Sequence, residues 1–347
     1  MRSFKLVILF LLFINQTLLC QKFIHAVWYN VMYLNLEDEE NSKKQIDIHI
    51  QKLADLKINT LIFLTKDPKG YVYYKSKYAP SKCEWDVLEY IIKKCKEYNI
   101  EIHPYINVFE DEYLVRIHPE YAELRQNNKK TKWVSPALKE VTIRMFNIIK
   151  EIVENYEIDG IQLDRVRYQG YKDIGFHPES VRQFKKLYKK SPSLTDPDFY
   201  QFKCDLISNF VKDAYNLVKS INKDIKFSAA VFHTPTTSRN NMICQQWDLW
   251  VKNDILDFVF PMAYTDKPDI FFKYLKEDIE VIKNTNVKLI MGVGIYYEGM
   301  NKEKLNSQIK MCLESPHVAG ICYFNAYSIF DNIEFQEVIK KIDLLRN

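Results

Sequence analysis

A carboxylate and a cation stand close together where one apolar segment of the chain ends. The apolar run at residues 160–163 stops at Asp164, and Arg167 follows three residues later. A nearby cation favours the ionised form of a carboxylate, which is the form that a nucleophile or a stabilising group needs. Asp164 is therefore the first candidate for a catalytic group. The alternative is an Asp–Arg pair that only fixes a loop.

Hydrolysis of a glycosidic bond needs a second carboxyl group, because one carboxylate cannot act as both acid and nucleophile. Asp266 and Glu298 directly follow two later apolar segments, and they are our first and second candidates for the acid. Glu110 and Asp111, after an earlier segment, are further candidates. Each of these side chains could equally be a solvated loop acid.

Polar and aromatic side chains near the other segment ends could bind a sugar. His103 and Asn107 fall on one face of their segment, because side chains two residues apart in a strand point to the same side. His103 could instead be a core residue. Aromatic rings match the flat apolar faces of sugars, and amides and cations can orient the hydroxyls. The remaining candidates for substrate binding are Trp28, Asn30, Arg167, Tyr168, Tyr264 and Tyr296.

These residues can meet only if the apolar segments are strands of one sheet. Short runs rich in β-branched and aromatic residues alternate with longer amphipathic stretches, which is typical of β/α units. The predicted strands are residues 24–31, 59–64, 101–108, 158–164, 226–232, 256–264, 288–296 and 319–327. The predicted helices are residues 42–57, 85–98, 136–156, 178–221, 244–252, 269–284, 302–313 and 333–345.

Eight strands, each followed by a helix, predict an α/β fold of the (β/α)8 or TIM barrel type, with a single domain over residues 21–347. A doubly wound open sheet is less consistent with the sequence, because no glycine-rich phosphate turn follows the first strand. Long loops at 66–80, 109–134 and 168–200 follow strands 2, 3 and 4. In a barrel these loops and the candidate residues share the catalytic face.

The first twenty residues indicate a secretory signal peptide. Arg2 and Lys5 precede an apolar run at 6–14, which is too short to span a bilayer. We predict cleavage after Cys20 and a secreted or periplasmic protein. A lipid anchor on Cys20 is the alternative, although Leu19 is larger than the residue that such processing prefers.

Composition limits the partners and cofactors. The 347 residues are 47% hydrophobic and carry a formal net charge of +4, which falls to +2 without the signal peptide. This near balance argues against a nucleic acid or an anionic membrane as partner. Six cysteines remain after residue 20, without a CxxC pair, so we predict no metal site, no cofactor and no particular disulfide. The oligomeric state stays open.

Three stretches resemble the glycoside-hydrolase-like family 10 barrels, which are largely exported bacterial proteins. The stretches are residues 86–107, 151–168 and 256–264. The most specific pattern is aspartate-glycine-apolar-x-apolar-aspartate followed by arginine-tyrosine, which Asp159 to Asp164, Arg167 and Tyr168 match. The resemblance implies a TIM barrel acting on glycans, with bacterial cell-wall polysaccharide as a substrate class and Asp164 as the central carboxylate.

Four residues depart from that family's pattern. Where the family usually has an arginine, a tryptophan, a proline and a glutamine, this chain has Asp67, Tyr105, Gln169 and Met262, respectively. Substrate contacts can therefore differ from those of the family, or activity can be lost while the barrel is kept.

The leading hypothesis is a secreted glycoside hydrolase, and the alternative is a glycan-binding barrel without catalysis. An aldolase or a metal-dependent hydrolase is less consistent with the sequence. No predicted strand ends in a lone lysine suited to a Schiff base, and the histidines show no paired metal spacing such as HxH.

Overall fold

The computed structural model describes residues 23–233 and 242–342, so the predicted signal peptide and Cys20 lie outside the described residues. Eight parallel strands close into a barrel, and a separate hairpin joins β4 and β5. The strands are β1 (Ile24–Tyr29), β2 (Thr60–Lys66), β3 (Glu101–Asn107), β4 (Ala122–Leu124), β5 (Lys130–Val134), β6 (Gly160–Asp164), β7 (Lys226–Phe232), β8 (Phe258–Met262), β9 (Lys288–Gly294) and β10 (Val318–Phe324). The predicted (β/α)8 barrel is confirmed, and each of the eight predicted strands is present.

The barrel order is β1-β10-β9-β8-β7-β6-β3-β2, with β2 hydrogen-bonded to β1 to close the ring. The helices are α1 (Glu39–Asp55), α2 (Val87–Glu97), α3 (Glu112–Ile117), α4 (Lys139–Asn155), α5 (Pro178–Tyr188), α6 (Pro197–Ile221), α7 (Trp247–Lys252), α8 (Pro268–Ile282), α9 (Lys302–Leu313), α10 (Ala326–Phe330) and α11 (Ile333–Lys340). Aspartates fix several helix starts: Asp38 accepts a hydrogen bond from the Asn41 N–H, and Asp86 from the Glu89 N–H. Among the described helices, none is long and apolar enough to cross a membrane.

One predicted helix, residues 178–221, is wrong, because the chain forms α5 and α6 with a break between them. Lys189 closes α5 in a left-handed conformation with φ of 57°. Asp196 then caps α6 through the Asp198 N–H, and Pro197 occupies the first turn. The apolar period of the two helices is continuous enough to hide the break, but the Asp-Pro pair is a helix start signal.

The long loops after the second, third and fourth barrel strands are present as predicted. The loop after the third barrel strand, β3, carries α3 and the β4–β5 hairpin. The loop after the fourth barrel strand, β6, carries α5. Buried Glu151 of α4 fixes the loop after β2, because its carboxylate accepts hydrogen bonds from Tyr74 Oη at 3.0 Å, Ser76 Oγ at 2.6 Å and Lys77 N at 2.9 Å. The loops at the mouth are therefore packed onto the helical ring.

At the amino-terminal end of the barrel, Gly160 leaves room for the ring of His103. A Cβ atom at position 160 would lie 2.6 Å from the His103 ring. Gly160→Ala should therefore lower the free energy of unfolding by about 1–3 kcal/mol through overpacking. Urea unfolding measures this loss. If the contact is the cause, Gly160→Ala should cost clearly less in a His103→Ala background, and an equal cost in both backgrounds would contradict it.

Candidate active site at the mouth of the barrel

The register between β3 and β6 places Asp164 beside Asn107 at the carboxyl end of the barrel. The pairing continues one residue further, because Val108 N donates to Asp164 O at 2.9 Å. The Asp164 carboxylate is half-buried, and its Oδ1 accepts a hydrogen bond from Arg165 N at 2.6 Å. The predicted central carboxylate thus stands at the rim, fixed by its own backbone turn.

Arg165 turns the chain and brings a second carboxylate to Asp164. Its backbone has φ of 51°, a left-handed conformation that is uncommon for a residue with a side chain. The Arg165 guanidinium forms an ion pair with Glu110, which follows β3. Phe109 N also donates to Arg165 O, so the loop after β3 runs beside this turn. Glu110 therefore belongs to the same site as Asp164.

The surroundings of Glu110 raise its pKa above the usual value. Burial raises the pKa of Glu110, and the charge of Asp164 raises it further, although Arg165 and Arg167 act in the opposite direction. The net shift is upwards, which is what a general acid requires. From the sequence, Glu110 is only a further candidate, because the turn that pairs it with Arg165 leaves no pattern in the residue spacing.

Arg167 lies between two aromatic rings at the same rim. Its guanidinium carbon is 4.9 Å from the ring centre of Trp133 and 5.1 Å from that of Phe232. Trp133 lies on β5 and forms a β-bridge with Glu110. The β4–β5 hairpin thus holds both Arg167 and the loop of Glu110, a role that the sequence does not indicate.

Trp28 lies inside the barrel, below Asp164. Its Nε1 donates to Gln162 Oε1 at 2.8 Å, and Gln162 Nε2 donates to Ser228 Oγ at 3.4 Å. Gln162 and Asp164 share one face of β6, so the period of two could have identified Gln162 as an inward residue. Three rings surround the Trp28 indole edge to face, namely Phe260, Tyr264 and Phe324.

Two tyrosines near Asp164 keep their hydroxyl protons. Burial raises the pKa of Tyr105 and Tyr264, and the charge of Asp164 raises both further. Tyr296, which is half exposed, packs edge to face on Tyr264 with ring centres 6.0 Å apart. The mouth therefore offers hydroxyl donors and an exposed aromatic face next to the central carboxylate.

Asp266 and Glu298 have surroundings different from those of Glu110. Asp266 Oδ2 accepts a hydrogen bond from Lys304 Nζ of α9 at 3.2 Å. The same carboxylate packs on Gly299, where a Cβ atom would lie 2.4 Å from Oδ2. Glu298 is exposed to solvent. These contacts join Asp266, after β8, to the loop after β9 and to α9.

His103 lies at the other end of the barrel from Asp164. It pairs with Ile62 four residues before Asn107, and its ring stacks on Phe258 with the planes 3° apart. Burial lowers the pKa of His103 to about 3, with a smaller effect from the charge of Lys226. The position fits a neutral core histidine, the alternative that the sequence left open, rather than a contact with the sugar.

Tyr168 and Asn30 also make contacts within the protein. Tyr168 is buried, and Lys203 Nζ of α6 lies 5.8 Å from its ring centre. Asn30 Oδ1 accepts a hydrogen bond from Met32 N at 3.0 Å, and its backbone O accepts one from Tyr327 Oη at 2.9 Å. The structure therefore brings Asp164, Tyr264 and Tyr296 together, but it buries Tyr168 away from the rim.

A buried ion pair supports the loop that carries Glu110. Lys66 ends β2, and its Nζ lies 3.1 Å from Asp111 Oδ2 and donates to Asn107 O at 2.9 Å. Arg144 donates to the same Asp111 oxygen at 2.5 Å. Burial alone would raise the pKa of Asp111, but the charges of Lys66 and Arg144 outweigh it and lower the pKa. Asp111 is therefore a positioning residue, fully buried and ionised.

Lys66 also corrects the prediction that no strand ends in a lone lysine. The strand continues past the predicted end at residue 64, since Lys66 can be buried beside Asp111. Burial lowers the pKa of Lys66, as it would for a Schiff-base lysine. Its ammonium, however, is fully buried and bonds to Asp111 and to backbone oxygens. These contacts give Lys66 a structural role.

Asp111→Asn should lower the free energy of unfolding by about 3 kcal/mol, because it leaves buried Lys66 and half-buried Arg144 without their charge partner. The folded-state pKa of Asp111 is below the ordinary 3.8, so this stabilisation is complete above that pH and is lost as the pH falls through the folded value. Urea unfolding at pH 7 and at pH 3 measures both effects. The double variant Lys66→Met/Asp111→Leu should recover part of the loss, and a loss independent of pH would contradict this account.

In the described ranges no three His, Cys, Asp or Glu side chains lie close enough to hold a metal ion. Six cysteines there are free thiols, and one of them, Cys322, is buried in β10.

Comparison with known proteins gives one family and several relatives. The model of the glycosyl hydrolase-like 10 family matches residues 23–312. Glycosyl hydrolase DigH of Escherichia coli K12 is 21% identical over 301 residues, which cover 72% of this chain and 64% of DigH. An S-layer-related protein of Niallia circulans is 27% identical over 235 residues, which cover 50% of this chain and 14% of that protein. The chain thus spans less than two thirds of either relative.

Solved structures share the fold. The glycoside hydrolase domain of PgaB (BpsB) from Bordetella bronchiseptica has a TM-score of 0.76 at 14% identity, covering 92% of this chain and 99% of that domain. The endo-beta-1,4-mannanase from Thermotoga petrophila has a TM-score of 0.63 at 10% identity, covering 94% of this chain and 77% of that enzyme. The barrel is therefore the architecture that these glycoside hydrolases use. Because the family model matches most of its length, this chain belongs to the glycosyl hydrolase-like 10 family.

Proposed function

We propose that this protein is a secreted or periplasmic glycoside hydrolase that cleaves O-glycosidic bonds of a polysaccharide, with cell-wall glycan as a candidate substrate. The observation that carries the proposal is the pairing of two unlike carboxyl groups at the barrel mouth. Asp164 accepts a hydrogen bond from Arg165 N, whereas Glu110 is half-buried and has a raised pKa. Carboxyl groups with different surroundings are what acid and base roles on one glycosidic bond require.

In this proposal Asp164 acts as nucleophile or base, and Glu110 protonates the leaving oxygen. Arg165 and Arg167 offset the negative charge of the two carboxylates, since the positive charge of each arginine lowers the pKa of Glu110. Asp266 and Glu298, the acids predicted first from the sequence, remain alternative candidates for the acid, although the contacts of Asp266 with Lys304 favour a structural role.

The substrate would lie on the aromatic and polar residues around the pair. Tyr105 and Tyr264 can donate to sugar hydroxyls, and Tyr296 offers an exposed ring. Asn107 Oδ1 is a buried acceptor without a hydrogen-bond partner among the described residues. It could accept from a sugar hydroxyl that enters the mouth. Trp28 forms the floor under these groups.

The test is release of reducing ends from a panel of bacterial cell-wall and plant polysaccharides by residues 21–347. Asp164→Asn is the inactive variant, and Asp213→Asn on the exposed face of α6 is the matched control. Release by the parent and by Asp213→Asn, but not by Asp164→Asn, supports the hydrolase. Glycan binding by all three without release would make the protein a glycan-binding barrel instead.

The proposed export has its own test. Residues 1–20 would be removed as a signal peptide during secretion, leaving Gln21 as the first residue. Amino-terminal sequencing of the exported protein should begin at Gln21. A mature protein that begins at a lipid-modified Cys20 would replace this proposal by a membrane-anchored form.

A further inference from the structure

A cationic cavity lies beside the candidate site, on the loops that follow β2 and β3. Its volume is about 470 Å³. The lining contains four cations and one carboxylate, a local charge of +3, whereas the whole chain has a formal net charge of only +4. The charged lining residues are Lys69, Lys82, Arg116, Lys132 and Glu112. Positive charge is therefore concentrated at one place on a nearly neutral protein.

Two tyrosines hold two of these cations in place. Lys82 Nζ lies 5.0 Å from the ring centre of Tyr71, and the Arg116 guanidinium lies 5.2 Å from that of Tyr113. The two rings contact each other edge to face, with centres 5.7 Å apart. Cations that rest on aromatic faces remain available to an anion, since no carboxylate oxygen occupies them.

Nearby carboxylates leave most of this charge unpaired. Glu112 accepts a hydrogen bond from Lys132 at 2.9 Å. Buried Asp67 is not part of the lining, and its carboxylate accepts hydrogen bonds from Tyr71 N and from the Tyr73 hydroxyl. Within the described part of the chain, no carboxylate oxygen lies within 4 Å of the cationic nitrogens of the remaining three cations. These three are Lys69, Lys82 and Arg116.

The scaffold under the cavity is shared with the loop of Glu110. Tyr113 N donates to Lys69 O at 2.9 Å, so the loops after β2 and β3 are joined by their backbones. Gly70, with φ of +90°, fits against Asp111, where a Cβ atom would lie 2.1 Å from Oδ1. Asp111 directly follows Glu110. A second cavity of about 250 Å³ shares Lys69 and Lys82 and reaches the loop after β1, but Glu37 and Asp67 also line it, so the excess positive charge belongs to the first cavity.

We propose that this cavity is a subsite for a sugar unit that carries an anionic group, such as a carboxylate or a sulfate ester. The size is that of a small-molecule site, the tyrosines suit a sugar ring, and the cations suit its charge. The inference rests on the proposed function, because it makes the anionic unit part of the glycan held at Asp164. A nucleic acid fits less well, since it requires a longer basic stripe than one cavity.

Binding to two polymers that differ only in charge tests the subsite. The polymers are polygalacturonate and its fully methyl-esterified form, titrated by calorimetry at low salt and at 0.5 M NaCl. We expect roughly tenfold tighter binding of the charged polymer at low salt, with the preference lost at high salt. Equal binding of the two polymers, or tighter binding of single-stranded DNA than of polygalacturonate, would overturn the proposal.

Removing cations from the cavity tests whether the cavity causes the preference for the charged polymer. Lys82→Gln/Arg116→Gln should abolish the preference for polygalacturonate. Lys186→Gln/Lys212→Gln removes the same charge from exposed positions on α5 and α6 and should keep the preference. Circular dichroism checks that both variants are folded. Equal loss in both variants would indicate a general charge effect and overturn the subsite.

Failure of the subsite and failure of the hydrolase give different results. If the preference maps to Lys82 and Arg116 but no glycan is cleaved, the subsite stands and the proposed hydrolysis does not. If neutral glycans are cleaved and the charged polymer has no advantage, the hydrolase stands and the subsite is overturned. Reducing-end release on neutral glycans should be unchanged in Lys82→Gln/Arg116→Gln.

Discussion

Asp164→Asn should slow glycan cleavage by roughly 10⁴-fold and leave the barrel folded. The carboxamide has the same shape, and its oxygen can still accept the hydrogen bond from Arg165 N. It cannot, however, attack the sugar or take a proton from water. Initial rates of reducing-end release measure the loss, and thermal unfolding measures the fold.

Asp159→Asn is a second control for that prediction, beside Asp213→Asn, because Asp159 precedes the same strand at its opposite end. Its Oδ2 accepts a hydrogen bond from Ile102 N at 2.8 Å, a contact that stabilises the strand start. We expect Asp159→Asn to change the unfolding midpoint and to keep the turnover rate. Undiminished turnover in Asp164→Asn would remove Asp164 from the mechanism.

Glu110→Gln should slow cleavage of natural glycans by roughly 10³-fold, because it removes the proton donor for a poor leaving group. Aryl glycosides with acidic phenols need little protonation and should lose much less. The pKa of Glu110 is raised, so the parent should lose activity as the pH rises through that value and the acid ionises. The fall in rate at high pH is the alkaline limb of the profile, and Glu110→Gln should lack it. Rate profiles between pH 4 and pH 9 on both substrate types measure these effects.

Asp266→Asn and Glu298→Gln are the comparisons for that prediction. Both should keep the alkaline limb and the preference among leaving groups. Asp266→Asn should mainly lower stability, since Asp266 binds Lys304 of α9. If one of these variants loses the alkaline limb while Glu110→Gln keeps it, the acid is that residue and Glu110 is only a neighbour of Asp164.

The barrel could be predicted because its strands are short apolar runs between amphipathic stretches. The position of Asp164 could be predicted for the same reason, since a carboxylate that ends such a run falls on the rim, whereas its role remains a prediction. His103 shows the limit of periodicity: the period of two gives its face correctly, but its height places it four residues below Asn107. Counting residues along the strand, in addition to the face, would have separated it from the mouth.

The acid partner could not be ranked from the sequence, because backbone conformation brings it to the site. Glu110 contacts Arg165 because the backbone of Arg165 is left-handed, and an arginine at this position does not predict that conformation. The burial of Lys66 could not be predicted for a related reason. A lysine at a strand end can be buried only because Asp111 lies beside it, and the sequence does not show that Asp111 does so. Both are long-range charge pairs, which local patterns do not encode.

Main-chain hydrogen bonds join the loops after β2 and β3 at the mouth, from Glu112 N to Pro68 O and from Tyr113 N to Lys69 O. Main-chain bonds tolerate almost any side chain at these positions, whereas the buried contact of Gly70 with Asp111 does not. Descendants of an ancestral gene can therefore exchange the outward residues of these loops while the turn geometry is inherited. Such a scaffold allows the substrate contacts of these loops to change while the backbone beneath them stays the same.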